Sequence, residues 1–222
     1  MTGRCGLAAD GNEDIGKLAT MTDRAPSRSG NRGRPGYDLD SLLQTAVKVF
    51  HERGYDGTSM EDLAKRLGIT KSAIYYHVSS KEELLRLSVN RALDALFAVL
   101  EEPAARSGAA IDRLQHVVWR SVEVLVDELP FVTLLLRVQG NSKVERKVLA
   151  RRREFDQLVG DLVAEAETEG SIRPDVDPAV TSRLLFGMVN SLVQWYKPKR
   201  ALSKEQIADA VVKIAFDGLR RD

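Results

Sequence analysis

Two short helical patterns separated by a tight corner constrain this chain more than any other feature. The first follows Ser59, with Asp62 three residues later as at a capped helix start, and it ends at Gly68. Glycine at that position permits the left-handed backbone with which many helices end. Thr70 then opens a second short pattern, KSAIYYHV. The spacing predicts two short helices at a steep angle, the second held clear of the rest of the chain.

The exposed face of that second helix would carry hydroxyls, a lysine and aromatic rings. A helix presented in this way can enter a DNA major groove, which is about 12 Å wide. Hydroxyls and a lysine near a helix N-terminus suit phosphate oxygens and base edges. The residues predicted on this face are Thr70, Lys71, Ser72, Tyr75, Tyr76 and His77. On periodicity alone, the alternative is an ordinary helical hairpin that does not contact DNA.

Helical periodicity continues through nearly all of the sequence after residue 38. One pattern begins at Leu39 and stops at Gly54, and a longer one follows a doubled capping signal at Ser79 and Ser80. Further patterns cover residues 111–128, 130–140 and 143–169, and two more begin near Asp177 and Ser203. No alternation typical of strands and no hairpin turn is visible. The sequence therefore predicts an all-α fold of about nine helices.

Composition excludes several other classes of protein. With 43% hydrophobic and 29% charged residues, the chain is typical of globular proteins. The longest apolar stretch, from Leu184 to Tyr196, is too short and too polar to cross a bilayer, so no membrane association is expected. No secretory signal is visible, and the single cysteine, Cys5, rules out a disulfide framework. The expected location is the cytoplasm.

Charge is distributed unevenly along the chain. The 33 Lys and Arg against 32 Asp and Glu give a net charge of +1, which as an average argues against a nucleic-acid partner. Residues 24–36, however, contain four Arg and no acid, and residues 1–36 contain little that can pack. We interpret 1–36 as a disordered arm in which Met21 leaves a second start site open. The arm is either a solvated linker or a DNA contact in which Arg28, Arg32 and Arg34 reach the minor groove.

The run DSLLQTAVKVFHERGYDGTSMEDLAKRLGITKSAIYYHVSSKEELL covers residues 40–85. Its aromatic pair, the histidine after it and the Ser-Lys-Glu-Glu sequence together resemble the N-terminal DNA-binding domain of the TetR family of bacterial transcriptional regulators. The resemblance implies a three-helix helix–turn–helix domain over residues 37–86, followed by an effector-binding and dimerisation domain over residues 87–222. It implies a repressor that binds a palindromic operator in double-stranded DNA as a homodimer and is released by a small lipophilic effector.

The resemblance also implies a set of DNA-contacting residues. They are Thr58, Ser59, Thr70, Lys71, Ser72, Tyr75, Tyr76, His77 and Lys81. Ser59 would both cap the second helix and touch phosphate, and His77 and Lys81 would contact phosphate. Of the two tyrosines, Tyr76 has the stronger claim to DNA, because Tyr75 would pack partly on the first helix.

The last two helical patterns predict the subunit interface. The segment from Val176 to Tyr196 is apolar on almost every face, and such a helix must be buried on both sides. In a chain of this length, the additional face is most simply explained by a second subunit. The resemblance implies that the last two helices form a four-helix interface across a twofold axis. The expected interface residues are Leu184, Leu185, Met188, Leu192, Val211, Ile214 and Phe216.

Aromatic residues in the C-terminal part predict a mostly apolar effector pocket, although each one alone is more often a core residue. The expected lining is Phe97, His116, Trp119, Arg120, Glu123, Phe131, Leu135, Arg137, Phe155, Phe186, Asn190 and Trp195. The sequence WYKP at 195–198 is similar to one in family members that respond to acyl-CoA thioesters. The basic run from Lys143 to Arg153 is either a CoA phosphate contact or a solvated helix face. The expected effector is an acyl-CoA or another lipophilic carboxylate derivative, with lipophilic drugs or metabolites as the alternative.

Motifs for catalysis and metal binding are missing from the sequence. GNRGRPG lacks the ending of a phosphate-binding loop, and no nucleophile elbow is visible. His51, His77 and His116 are far apart and lack partners at metal-ligand spacing. We therefore expect no enzyme activity, cofactor or metal. Two rival functions remain: an all-α enzyme, and a helical ligand-binding module that no longer binds DNA. The second is kept open by the eight acids against six Lys and Arg in residues 37–85.

Overall fold

The computed structural model describes residues 38–197 and 202–217, which form ten α-helices and no strand. The helices are α1 (Leu39–Arg53), α2 (Met60–Leu67), α3 (Lys71–His77), α4 (Lys81–Leu100), α5 (Pro103–Arg106), α6 (Ala110–Asp127), α7 (Leu129–Leu136), α8 (Lys143–Thr168), α9 (Pro178–Trp195) and α10 (Lys204–Asp217). The prediction of an all-α fold is confirmed. The additional helix is α5, a single turn that follows Glu102.

Local side-chain signals determine where the first three helices begin and end. Asp38 caps α1 by accepting a hydrogen bond from the Ser41 N–H at 2.7 Å. Gly68 ends α2 with a left-handed φ of 66°, so a side chain there would be strained. Leu42 of α1, Leu63 of α2 and Ile74 of α3 are all fully buried. The three capped helices therefore all contribute side chains to the apolar core.

The long helix α4 joins this N-terminal group to the other helices. It contacts α1 and also α6, α7 and α8, while α9 and α10 pack against α6. The predicted domain boundary between residues 86 and 87 lies within α4, so one rigid helix runs through both parts. The predicted arm, residues 1–36, lies outside the described residues. Within the described part of the chain, no helix is long and apolar enough to cross a membrane.

Candidate functional site

Helix α3 has one fully buried side chain and exposes most of its polar and aromatic residues. Ile74 is fully buried, whereas Tyr76 is 86% exposed and Tyr75 is 46% exposed. Lys71 and Ser72 are exposed on the same helix. The helix begins at Thr70, whose hydroxyl accepts a hydrogen bond from the Ala73 N–H at 3.2 Å. The polar and aromatic face predicted from the sequence is therefore directed to solvent.

A reciprocal capping box begins α2 and connects it to α1. The Ser59 hydroxyl accepts from the Asp62 N–H at 3.1 Å, and the Asp62 carboxylate accepts from the Ser59 N–H at 3.0 Å. The hydrogen bonds from Ser59 hold the pKa of Asp62 below its usual value. Arg53 of α1 contacts the same carboxylate at 3.1 Å. The start of α2 is thus tied to the end of α1, with the exposed Ser59 at the corner.

Two of the predicted DNA contacts, Thr58 and Lys81, form hydrogen bonds within the protein. For Thr58 the structure contradicts the predicted role. Thr58 is only 2% exposed, and its hydroxyl donates to the carbonyl of Gly54 at 2.7 Å. It therefore shapes the connection between α1 and α2 and does not reach a DNA backbone. Lys81 donates to the carbonyl of Tyr55 at 2.9 Å, and its ammonium lies 4.4 Å from the centre of the Tyr55 ring. In this structure Lys81 ties α4 to the same connection.

The remaining predicted DNA contacts differ in position. His77 is half-buried at the end of α3, and its ring meets the Tyr76 ring edge to face at a centroid distance of 5.2 Å. This contact restricts the orientation of the Tyr76 ring. Arg28, Arg32 and Arg34 lie outside the described residues.

An apolar face extends over α9 and α10. Leu184 is 69% exposed and Ile214 is 68% exposed, and both are large apolar side chains. A groove of about 690 Å³ lies between the two helices, with Met188, Val211 and Ile214 among its lining residues. A contiguous exposed apolar patch of this kind indicates an interaction site.

Four of the seven predicted interface residues, Leu185, Leu192, Val211 and Phe216, are buried in the single chain. Leu185 and Phe216 lie among the chain's own helices and do not contribute to the exposed apolar face. Leu192 forms part of the floor of the groove and is fully buried there. In α9 the solvent-facing and core-facing residues are therefore separate, as the neighbouring pair of exposed Leu184 and buried Leu185 illustrates.

Several of the twelve residues predicted to line the effector pocket pack against each other or bind neighbouring helices in the described part of the chain. Phe97, Phe155 and Phe186 stack edge to face, with centroid distances of 5.7 Å and 5.2 Å. Trp119 ties α6 to α10 by donating to Asp209 at 2.8 Å, and Trp195 lies in the α9–α10 groove. The other predicted residues on α7 and α9 are placed apart from these: Phe131 and Leu135 are buried, Asn190 is half-buried and Arg137 is exposed. The aromatic residues thus have several structural contacts, and the shared effector pocket stays a prediction.

Three of the polar residues predicted for the pocket, His116, Arg120 and Glu123, belong to an ionic cluster. The Glu102 carboxylate lies 2.6 Å from Nε2 of His116 and 2.9 Å from Nε of Arg120. Burial alone would raise the pKa of Glu102, but the hydrogen bonds from His116 and Arg120 outweigh it and hold that pKa below its usual value. Arg120 also contacts the buried Glu123, which is 3.9 Å from Nζ of Lys204 in α10. The cluster therefore links the turn before α5 to α6 and α10.

A cavity of about 430 Å³ does open beneath Phe97, where α4, α5, α6 and α8 meet. Its apolar wall is formed by Phe97, Leu100, Leu158 and Leu162. Its polar rim consists of Glu101, Arg106, Arg113, Asp161 and Glu165. Phe97 belonged to the predicted set, whereas the other residues were not predicted, because leucines at helical spacing are indistinguishable from core residues.

Part of the basic run on α8 braces that helix against α4. Arg151 donates to Asn90 at 2.6 Å and to Asp94 at 2.8 Å, and its guanidinium lies 5.1 Å from the centre of the Phe97 ring. Lys143, Lys147 and Arg153 are exposed. Arg151 therefore has a structural role, whereas Lys143, Lys147 and Arg153 lie on a solvated face of α8.

Two family profiles match the chain. One, described as "Bacterial regulatory proteins, tetR family", covers residues 42–87, and one described as "Tetracyclin repressor-like, C-terminal domain" covers residues 107–219. Among curated proteins, the HTH-type transcriptional repressor KstR2 of Mycolicibacterium smegmatis is 27% identical over 190 residues, which cover 84% of this chain and 92% of the relative.

Solved structures agree with these matches. The crystal structure of a TetR transcriptional regulator family member from Streptomyces coelicolor A3 is 56% identical, with a TM-score of 0.75, covering 81% of this chain and 91% of that one. AibR, solved in complex with isovaleryl coenzyme A and operator DNA, is 28% identical with a TM-score of 0.69, covering 80% of this chain and 97% of that one. The C-terminal profile alone spans half of the sequence, and the N-terminal one includes all of α2 and α3. The chain belongs to the TetR family of bacterial transcriptional regulators.

Proposed function

We propose that this protein is a repressor that binds a palindromic operator as a homodimer and releases it on binding a small lipophilic effector such as an acyl-CoA. The observation that carries the proposal is the presentation of α3, which buries only Ile74 and turns Lys71 and Tyr76 to solvent. A helix held this way suits the major groove. The names of the relatives, which include repressors, support the same function.

The apolar face on α9 and α10 supports the dimer. A twofold axis through this face would pair Leu184 and Ile214 with their copies and cover the groove between the helices. Two α3 helices would then lie about one duplex turn apart, roughly 34–36 Å, and the operator would be palindromic with that spacing.

Operator binding is expected to depend on Lys71 and Tyr76. Replacing either with alanine should weaken binding by about 1–3 kcal/mol, because each removes a contact from an exposed face without opening the core. The measurement is fluorescence anisotropy with duplexes from the DNA flanking the protein's own coding region. Arg173→Ala, in the exposed connection between α8 and α9, removes one positive charge far along the chain from α3 and should leave the affinity unchanged.

Thermal unfolding of the same variants separates contact from folding. If Lys71→Ala and Tyr76→Ala lose DNA only because they melt, the contact assignment is wrong. Absence of binding to every palindromic fragment at low salt would overturn the repressor function and favour the ligand-binding module without DNA contact.

The cavity beneath Phe97 is the proposed site for the apolar part of the effector. At about 430 Å³ it is within the size range of small-molecule sites, and Leu100, Leu158 and Leu162 supply apolar surface. Because Phe97 and Leu100 lie on α4, a ligand there would act on the helix that begins beside the DNA-binding group. The structure of AibR with isovaleryl coenzyme A gives a relative that binds an acyl-CoA.

Filling the cavity is expected to abolish the effector response while leaving operator binding intact. Leu158 is partly exposed, so Leu158→Trp can occupy the cavity without overpacking the core and should raise the effector concentration needed for DNA release at least tenfold, about 1.4 kcal/mol. Acyl-CoA thioesters of increasing chain length are titrated into the protein–operator complex, with free coenzyme A and neutral apolar compounds as comparisons. Leu158→Met, which keeps the volume, is the control. Release by neutral compounds alone would favour the drug or metabolite alternative, and an unaltered response of the tryptophan variant would exclude this cavity.

A further inference from the structure

The histidine near the end of α1 joins two helices that belong to different parts of the protein. Nε2 of His51 lies 2.8 Å from the carbonyl oxygen of Pro130 in α7. Nδ1 of the same ring lies 3.2 Å from Nη1 of Arg137, directly after α7. The imidazole therefore bridges the two ends of α7 from a position on the DNA-binding group.

The chemistry of the two partners determines the protonation state of this ring. A carbonyl oxygen only accepts hydrogen bonds, so Nε2 of His51 must carry a proton. A guanidinium only donates, so Nδ1 must present its lone pair to Arg137. Both contacts are satisfied only by the neutral tautomer with hydrogen on Nε2. A second proton on Nδ1 would remove the bond from Arg137 and place two positive charges about 3 Å apart.

The charged groups around His51 strengthen this preference. Arg137 is the cation that faces it from α7, and burial together with Arg137 holds the pKa of His51 below its usual value, against the opposing effect of the Pro130 carbonyl. The other charged groups near the junction are Lys48 and Glu52 on α1, Asp56 after it, Arg91 on α4, Asp40 and Glu128 bound to Arg91, and Glu145 on α8.

The nearby acids are largely engaged elsewhere. Glu145 accepts the backbone N–H groups of residues 139, 140 and 141 at 3.1, 2.9 and 3.1 Å. Glu128 binds Arg91 through two hydrogen bonds, and Asp40 binds the same guanidinium. Neither Asp40, Glu128 nor Glu145 is therefore placed to neutralise a second charge beside Arg137.

The junction around this ring is incompletely packed. A cavity of about 270 Å³ is lined by Phe50 and His51 of α1, by Leu85 of α4 and by Leu134 of α7, with Arg137 at its edge. The two polar contacts of His51 therefore lie beside space into which the ring and the Arg137 side chain can move.

We propose that His51, the Pro130 carbonyl and Arg137 form a proton-sensitive latch between the DNA-binding helices and the C-terminal helices, and that protonation of His51 opens it. The effect on DNA rests on the proposed function. An open latch lets α1 to α3 move relative to α7. The two α3 helices of a dimer then lose their fixed separation, and restoring it on binding to both half-sites costs free energy. Operator affinity then falls as the pH decreases.

The latch itself is tested without DNA. Proton NMR titration of the three histidines should give His51 a pKa below its usual value of about 6.5. Arg137→Met removes the facing cation and should raise that pKa. A titration of His51 at or above the usual value, or one that Arg137→Met does not change, overturns the latch.

The regulatory consequence is tested by operator anisotropy from about pH 8 to about pH 5.5. His51→Gln keeps an N–H for Pro130 and an oxygen for Arg137 but does not titrate in this range. Relative to that variant, the wild-type protein should lose about threefold to tenfold in affinity at the acidic end, because each unit of lowered pKa corresponds to a factor of ten. His77 is present in both proteins, so any contribution it makes to DNA binding is common to the two profiles.

The outcomes separate the latch from the function on which its consequence rests. Parallel pH profiles for wild type and His51→Gln would overturn the proton-sensitive coupling. If neither protein binds any operator at pH 8, the proposed repressor function fails, and the NMR titration alone then decides whether the latch exists.

Discussion

Replacing Leu184 and Ile214 together with aspartate is expected to dissociate the dimer and to lower operator affinity at least 100-fold, about 3 kcal/mol. These two side chains are the most exposed large apolar residues of α9 and α10 in the described chain. A twofold interface would bring four new carboxylates into an apolar face, and each buried, unpaired carboxylate costs several kcal/mol. A dissociated subunit can contact only one half-site, so the affinity that depends on both is lost.

Analytical ultracentrifugation gives the oligomeric state of this variant, and anisotropy gives its operator affinity. Leu158→Asp makes the same chemical change at another partly exposed leucine, on α8, and should leave the dimer intact. A Leu184→Asp/Ile214→Asp protein that still sediments as a dimer would place the subunit interface elsewhere. A monomer that still binds the full operator with wild-type affinity would show that dimerisation is not required.

The DNA-binding helices could be predicted in detail because their signals are local. Ser59 and Asp62 are three residues apart in sequence and meet in the capping box. Gly68 stops α2 through its own backbone conformation. The residues that cap a helix lie within a few positions of one another. The starts of α2 and α3 and the end of α2 can therefore be predicted from spacing.

Hydrogen bonds from side chains to backbone carbonyls were not predictable in the same way. Lys81 has the position of a phosphate contact in the resemblance, yet it donates to the Tyr55 carbonyl, 26 residues earlier. Thr58 is adjacent to a capping residue in sequence but turns inward to Gly54. In both residues the partner is a backbone carbonyl, which no side-chain pattern identifies.

The C-terminal half shows a second limit. The apolar sequence on almost every face of α9 predicts burial on two sides, but it does not say which of the neighbouring Leu184 and Leu185 lies on the core side of the single chain. For the effector site, aromatic composition favoured Phe155 and Phe186, which instead fill the core by stacking on each other. The cavity beneath Phe97 arises where four helices fail to close, and that depends on their relative placement.

Ile74→Ala is expected to lower the free energy of unfolding by about 2–4 kcal/mol and to abolish specific operator binding. Ile74 is the one fully buried residue of α3, a helix of seven residues. A helix this short is not stable without tertiary packing, so the loss of its anchor detaches the face that carries Lys71 and Tyr76. Chemical denaturation gives the stability, and anisotropy with operator and with unrelated DNA gives the specific component of binding.

Two variants on the same helix distinguish loss of the anchor from a general effect. Ile74→Val keeps a branched side chain and should cost only about 0.5–1.5 kcal/mol while retaining specific binding. Ser72→Ala, on the exposed side, should change stability by less than about 0.5 kcal/mol. The orientation of the exposed Tyr76 depends on Ile74, because Ile74 anchors α3 to the core. An Ile74→Ala protein with wild-type stability and specific affinity would therefore mean that α3 is held by contacts other than this side chain.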